Sequence, residues 1–175
     1  QAKRIGIDDF WFAHESIEFK NGNATIKGGE EYEKYIIENG KKMYSELSKE
    51  TAEFFEYMTQ NELMDLVTRK SKAAGGYCTH IPNYNSPFIF SNFNNTSEDI
   101  DVLTHEAGHA FQLYMSKDIP MYEINFPTLD SCEIHSMSME FITYPWMELF
   151  FKEDTLKYKF YHMSSAIKFI PYGVI

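Results

Sequence analysis

The sequence predicts a mainly α fold that carries one small β-sheet. Three features predict it. Apolar residues recur at helical spacing over most of the 175 residues. Only one region, near the middle, alternates and turns as paired strands do. The stretch His105-Glu106-Ala107-Gly108-His109 lies inside one of the helical patterns, far from its ends.

Residues 1–29 show no clear period and include Gly22, Gly28 and Gly29. From 30 to 47, Tyr32, Tyr35, Ile36, Met43, Tyr44 and Leu47 mark one helical face, interrupted by Gly40. Ser48 is placed to cap a second helix with Thr51 in its first turn, running to about 59. A third helical piece is expected over 62–74, ended by Gly75-Gly76. Residues 1–74 thus read as a helical N-terminal part. Residues 75–95 read as the sheet, with strands at 77–81 and 88–93. Pro82-Asn83-Tyr84-Asn85-Ser86-Pro87 supplies the turn between them.

Residues 96–175 return to helices. Thr96, followed three residues later by Asp99, starts one of them. Val102, Leu103, Ala107, Ala110, Phe111 and Tyr114 form its apolar stripe, and Pro120 ends the pattern. A loop with Pro120 and Pro127 covers 119–128; Asp130 or Ser131 caps the next helix, which Pro145 should kink or restart. A last helix spans 154–169. Without repeat or linker, 1–175 reads as a single region, long enough to bury about 70% of its unfolded surface. With 15 Phe, 12 Tyr and 2 Trp, material for a core is ample.

A net charge of -10 argues against nucleic-acid or anionic-membrane surfaces, which need basic patches. No apolar run is long enough to span a bilayer. The start, Gln1-Ala2-Lys3-Arg4, lacks the apolar stretch of a secretory signal. Cys78 and Cys132 lack the spacing of a zinc ribbon or redox pair, so reduced, part-buried thiols are expected.

On a helix, positions i and i+4 share a face, so His105 and His109 can reach one metal ion together. Glu106 lies about 100° further round, beside the ion. Two imidazoles and an adjacent carboxylate suit a metal that activates water, with the carboxylate as general base. Catalytic zinc takes a third protein ligand and leaves one position open. A histidine six residues after His109 is excluded, since position 115 is Met. The downstream carboxylates Asp118, Glu123, Asp130, Glu133 and Glu140 are the candidates. Glu133, Met137 and Glu140 share one helical face; Glu133 is the preferred ligand and Glu140 an outer acceptor for a ligand histidine. Asp101, one turn before His105, competes with Glu140 for that role. His14, His80, His135 and His162 are read as structural or exposed.

These residues resemble the oligoendopeptidase F family of zinc metallopeptidases, relatives of thimet oligopeptidase. The likeness is carried by Gly75-Gly76-Tyr77-Cys78-Thr79, Pro87-Phe88-Ile89-Phe90-Ser91-Asn92-Phe93, residues 101–110 around the His-Glu-x-x-His motif, 133–141, and Ile170-Pro171-Tyr172-Gly173-Val174. The resemblance implies a zincin-like, mainly α catalytic region. It implies one Zn2+ per chain held by His105, His109 and Glu133, with Glu106 as general base. It further implies short peptide substrates received along the edge of the small sheet near Gly76, Tyr77 and Cys78, and a cytoplasmic location.

Relatives in that family are several times longer, and a segment beyond Val174 supplies them with a histidine and tyrosines that stabilise the transition state. The chain therefore reads as part of a catalytic region, with the missing regions of a longer peptidase as a partner. Two other readings stand beside an active endopeptidase: a zinc-binding but catalytically impaired fragment, and a helical interaction module with incidental histidines.

Overall fold

The computed structural model describes residues 31–172. The sequence readings for 1–29, including His14, and for the terminal residues from Gly173 lie outside the described residues. Helix α1, Tyr32–Leu47, and helix α2, Lys49–Gln60, form an antiparallel pair. Ser48 joins them through a reciprocal cap: its Oγ accepts the Thr51 N–H at 3.1 Å, and its own N–H donates to Thr51 Oγ1 at 3.0 Å. Gly40 does not break α1. It sits where a Cβ would lie 2.9 Å from the Phe55 ring, so the glycine permits close approach of the two helices. Tyr44 and Phe55 stack across this seam, ring centroids 4.7 Å apart.

The helix expected over 62–74 does not form. Met64–Val67 is instead strand β1. Its short apolar run fits either period, and long-range pairing decides. The Ile89 N–H donates to Leu63 O at 3.0 Å and Ser91 Oγ to Leu66 O at 3.2 Å. Asp65 and Arg69, four apart like a helical ion pair, are joined by two hydrogen bonds of 2.5 and 2.7 Å across a turn. Lys72, with a side chain 2% exposed, reaches back to Asp65 and to the Val67 carbonyl. The charges that read as helical therefore tie down the loop after β1.

Strands β2 (Tyr77–Ile81) and β3 (Ser86–Phe93) match the sequence reading, with β3 starting two residues earlier and a 3-10 turn over Pro82–Tyr84. The sheet order is β1-β3-β2, with β1 parallel and β2 antiparallel to β3. Strand β2 pairs from Tyr77↔Phe90 to Ile81↔Ser86, and among the described residues its other side is a sheet edge. Asp99 organises the entry to helix α3, Glu98–Met115, by accepting the backbone N–H groups of Asn94, Asn95 and Thr96. It therefore supplies the acidic half of the expected cap.

After the four-residue helix α4, Tyr122–Asn125, comes helix α5, Leu129–Ile142, one to two residues earlier than its expected caps. Pro145 does restart the chain, through a 3-10 turn into helix α6, Glu148–Phe151. Helix α7, Thr155–Tyr172, closes the described fold. The core runs from Ile36, Met43 and Phe54 through Leu66 and Ile89 to Leu103, Phe151 and Tyr158. Helix α3 is buried more fully than a single apolar stripe requires. It lies between the sheet and α5, so Glu106 and Gly108 are buried along with Leu103 and Ala107. Cys78 and Cys132 are free thiols. Among the described residues, no helix is long and apolar enough to cross a membrane.

The α3–α5 crossing is tightest at Gly108, where a Cβ would lie 2.6 Å from both His135 O and Ser136 Cα. Alanine ordinarily favours a helix over glycine by about 1 kcal/mol. Here the backbone contact reverses that preference. Gly108→Ala should destabilise the protein by about 1–3 kcal/mol, read as a lower urea midpoint; an unchanged or raised midpoint would contradict the close packing.

Candidate metal centre

Helix α3 presents His105 and His109 one turn apart, their rings edge to face with centroids 5.0 Å apart. Helix α5 crosses at Gly108 and delivers Glu133 opposite them. Glu133 Oε2 lies 3.1 Å from His105 Nε2 and 3.7 Å from His109 Nε2. One donor atom from each of the three residues falls within a 4.8 Å cluster, sized for a single metal ion. Tetrahedral zinc with ligand bonds near 2.0–2.1 Å spaces its ligands about 3.3 Å apart. Two imidazole nitrogens and a carboxylate at these spacings fit such an ion.

Burial opposes charge on His105, but the Glu140 hydrogen bond and the Glu140, Glu106 and Glu133 charges outweigh it and raise its pKa. His109 shifts the other way, lowered by burial and by the neighbouring His105 charge. Burial would raise the Glu133 carboxyl. The Ser136 hydroxyl at 2.6 Å and the two histidines instead hold it below the ordinary glutamate value. The site thus arrives with anionic oxygen already facing imidazole nitrogen.

Glu106 is 8% exposed, and burial raises its pKa against the opposing pull of His105. The Cys78 backbone donates a hydrogen bond to it, which brings Glu106 to the edge of β2. Burial, and then the Glu106 charge, push the Cys78 thiol up, so it stays protonated. Tyr77 is half exposed and stacks on Phe90 at 5.1 Å. Gly76 lies at the head of the same strand, its Cα side facing Phe90 O, Ser91 and Val102. These three residues share the edge that runs past Glu106.

Behind the donor cluster, Glu140 accepts from His105 Nδ1 at 2.6 Å through Oε1 and meets His162 Nε2 at 2.6 Å through Oε2. Its pKa is lowered despite burial because both imidazoles hydrogen-bond to its charged form. Asp101 is one step further out. It accepts the Tyr158 hydroxyl and lies 4.0 Å from His162 Nε2, and burial pushes its pKa up to about 6. His162 and Tyr144 belong to this network, although neither stands out as functional in the sequence. The one available signal is Tyr158 and His162 at i and i+4 on α7, directing two polar groups to the same side.

The sequence model of peptidase family M3 matches residues 30–168. Among solved structures, PZ peptidase A with an inhibitor is 65% identical over 91% of this chain, with a TM-score of 0.84. A protein of Bacillus anthracis str. Ames, assigned as an oligoendopeptidase F, is 58% identical over 99% of the chain, with a TM-score of 0.85. The match covers 28% of the former protein and 30% of the latter, so the chain spans under a third of their length. A peptidase of Chlamydophila abortus at 17% identity and a TM-score of 0.65 shares the fold alone. No curated protein matches. Because the family match runs through both helices that frame the donor cluster, and the identity persists at 58–65%, the chain belongs to peptidase family M3.

Proposed function

We propose that this chain carries the catalytic region of a zinc-dependent endopeptidase that hydrolyses internal bonds of short peptides. The observation that carries the reading is the convergence of His105, His109 and Glu133 on one metal-sized space, with Glu106 beside it and a free strand edge alongside. One zinc ion would be held by Nε2 of both histidines and by the Glu133 carboxylate. A bound zinc lowers the pKa of a coordinated water to about 7 and polarises a carbonyl.

The chain's own residues supply the remaining work. Glu106 accepts the proton of the attacking water at a carboxylate oxygen and returns it to the leaving amine nitrogen. Its burial raises its pKa, which strengthens it as a base towards the attacking water. Among the described residues no strand lies on the outer side of β2, and an extended peptide would add there as a further strand. Gly76, Tyr77 and Cys78 would hold that peptide beside Glu106. That the substrates are short peptides is what the family resemblance implies. A cytoplasmic location follows from the family resemblance.

A zinc-binding but catalytically impaired chain is the second reading. It is motivated by the resemblance, which places the oxyanion donors of relatives in a segment beyond Val174, and by a match that covers 28–30% of the solved relatives. Zinc uptake without Glu106-dependent hydrolysis distinguishes it.

Cleavage of a quenched fluorescent oligopeptide, with and without chelator, tests the reading directly. Glu106→Gln should keep its zinc and lose about 10²–10⁴-fold in rate; full turnover in that variant removes Glu106 from the chemistry. Glu133→Ala should weaken zinc by more than about 100-fold, beyond the loss caused by removing an outer partner. Unchanged metal content there would move the third ligand elsewhere.

Proton linkage gives an independent check. His105 binds its proton more tightly in the folded, metal-free chain than in the unfolded one. That contribution to stability is fully present below the unfolded imidazole value and lost as pH rises through the raised one. Zinc must displace the same proton. Titration with zinc at pH 7 in two buffers of different ionisation enthalpy should therefore show proton release, and a buffer-independent heat would contradict it.

A further inference from the structure

His162 is a buried side chain with both ring nitrogens engaged, 57 residues beyond His105 in sequence yet joined to it through a single carboxylate. It is 4% exposed. Its Nε2 lies 2.6 Å from Glu140 Oε2, and its Nδ1 lies 2.5 Å from the Tyr144 hydroxyl. The ring is fixed from two sides, parallel to Tyr158 with centroids 5.9 Å apart and edge to face with Phe141 at 5.2 Å.

The hydrogen-bond directions in this chain are determined by chemistry. Tyr144 has a phenol whose pKa burial raises, so its hydroxyl keeps its proton and donates. The Tyr144 hydroxyl is placed to donate to His162 Nδ1, and the charged Glu140 carboxylate can only accept, so His162 carries a proton on Nε2. That N–H donates to Glu140 Oε2. The other carboxylate oxygen, Oε1, accepts from His105 Nδ1 at 2.6 Å. An imidazole protonated at Nδ1 has its lone pair on Nε2, the atom that faces Glu133 at 3.1 Å. Each link requires the one before it. Without His162, Glu140 keeps one anchor, and its carboxylate is free to rotate away from the plane in which His105 Nδ1–H must donate.

We propose that His162 is a positioning residue for the metal centre: by donating to Glu140 while accepting from Tyr144, it holds the Glu140 carboxylate so that His105 stays in the Nδ1–H form with Nε2 directed at the metal. The proposal rests on the metal-centre reading above. It makes Tyr144 and His162, rather than Glu140 alone, the source of the orientation that outer hydrogen bonds give to a metal-ligating histidine. The helix that bears His162 contributes no donor atom to the cluster, so its influence on the metal passes entirely through Glu140.

The test compares the full chain with His162→Phe, His162→Gln and Tyr144→Phe. Zinc affinity is measured by competition with a chromophoric chelator. The tautomer of His105 is read from ¹⁵N–¹H imidazole spectra of the metal-free protein at a pH above the raised His105 value, where the ring is neutral, and thermal unfolding checks folding. Phe keeps the ring packing and removes the donor, so zinc affinity should fall about 10–100-fold and the His105 tautomer should become mixed. Gln places an amide N–H near the position of Nε2 and should stay within about threefold of wild type. Tyr144→Phe should fall between them, because His162 keeps its donation to Glu140 but loses the hydrogen bond that fixes the ring at Nδ1. A folded His162→Phe with wild-type zinc affinity and unchanged His105 spectra overturns the proposal. Should that variant unfold, Gln and Tyr144→Phe decide it: a Tyr144→Phe protein indistinguishable from wild type in both readouts overturns it equally. If the wild-type chain takes up no zinc, the metal-centre reading fails separately. The spectra still decide the positioning role, since a mixed His105 tautomer in wild type refutes it and a pure Nδ1–H form lost in His162→Phe upholds it.

Discussion

The backbone contact between α3 and α5 at Gly108 is the constraint on which the site depends. Glu133 and Glu140 sit on one helix, His105 and His109 on the other, and neither pair makes a donor cluster alone. At the crossing that holds Glu133 Oε2 3.1 and 3.7 Å from the two imidazole nitrogens, the helices approach backbone to backbone. A glycine facing His135 O and Ser136 Cα, with no side chain between, provides that approach. The same crossing brings Glu140, two turns further along α5, beneath His105. One packing contact therefore sets both the inner and the outer partners of the same histidine.

That geometry concentrates charge where solvent is scarce, and hydrogen bonding decides the outcome at each group. Glu106, Glu133 and Glu140 are three carboxylates around one imidazole, yet their pKa values move in different directions. Glu133 and Glu140 accept strong donors and remain charged. Glu106 has only the Cys78 backbone and the attraction of His105 to set against burial, so it is the one that leans towards protonation. Two carboxylates are held as anions, and the third has its pKa raised. The division follows from the number of donors each oxygen finds.

The sequence made the helical half of this arrangement legible because helical period converts spacing into direction. His105 and His109 at i and i+4, and Glu133 with Glu140 at i and i+7, could be assigned to faces before any tertiary contact was known. The strands at 77–81 and 88–93 were legible from alternation and the prolines between them. Residues 62–74 read as a helix because Asp65 and Arg69 satisfy a helical spacing while serving a turn, and because only pairing with β3 fixes Met64–Val67 as extended. Asp101 was expected near a ligand histidine from its place one turn before His105, but its hydrogen bond goes to Tyr158, on a helix whose position the sequence does not reveal. His162 was invisible for the same reason: its meaning lies in what stands opposite it.

Helix α7 consequently ties the metal centre to aromatic packing well away from it. Tyr158 stacks on Phe151 with ring centroids 4.1 Å apart, and its hydroxyl reaches Asp101. One turn later the same helix presents His162 to Glu140. Seating α7 against α6 therefore orders the carboxylate that orders His105. Linkage makes the relation reciprocal: a ligand that favours the ordered arrangement of His105 must stabilise the docking of α7 by the same free energy. The centre is thus coupled to the core on two fronts, through Gly108 at the crossing and through Tyr158 and His162 behind it. A change in either one reaches the donor atoms without touching them.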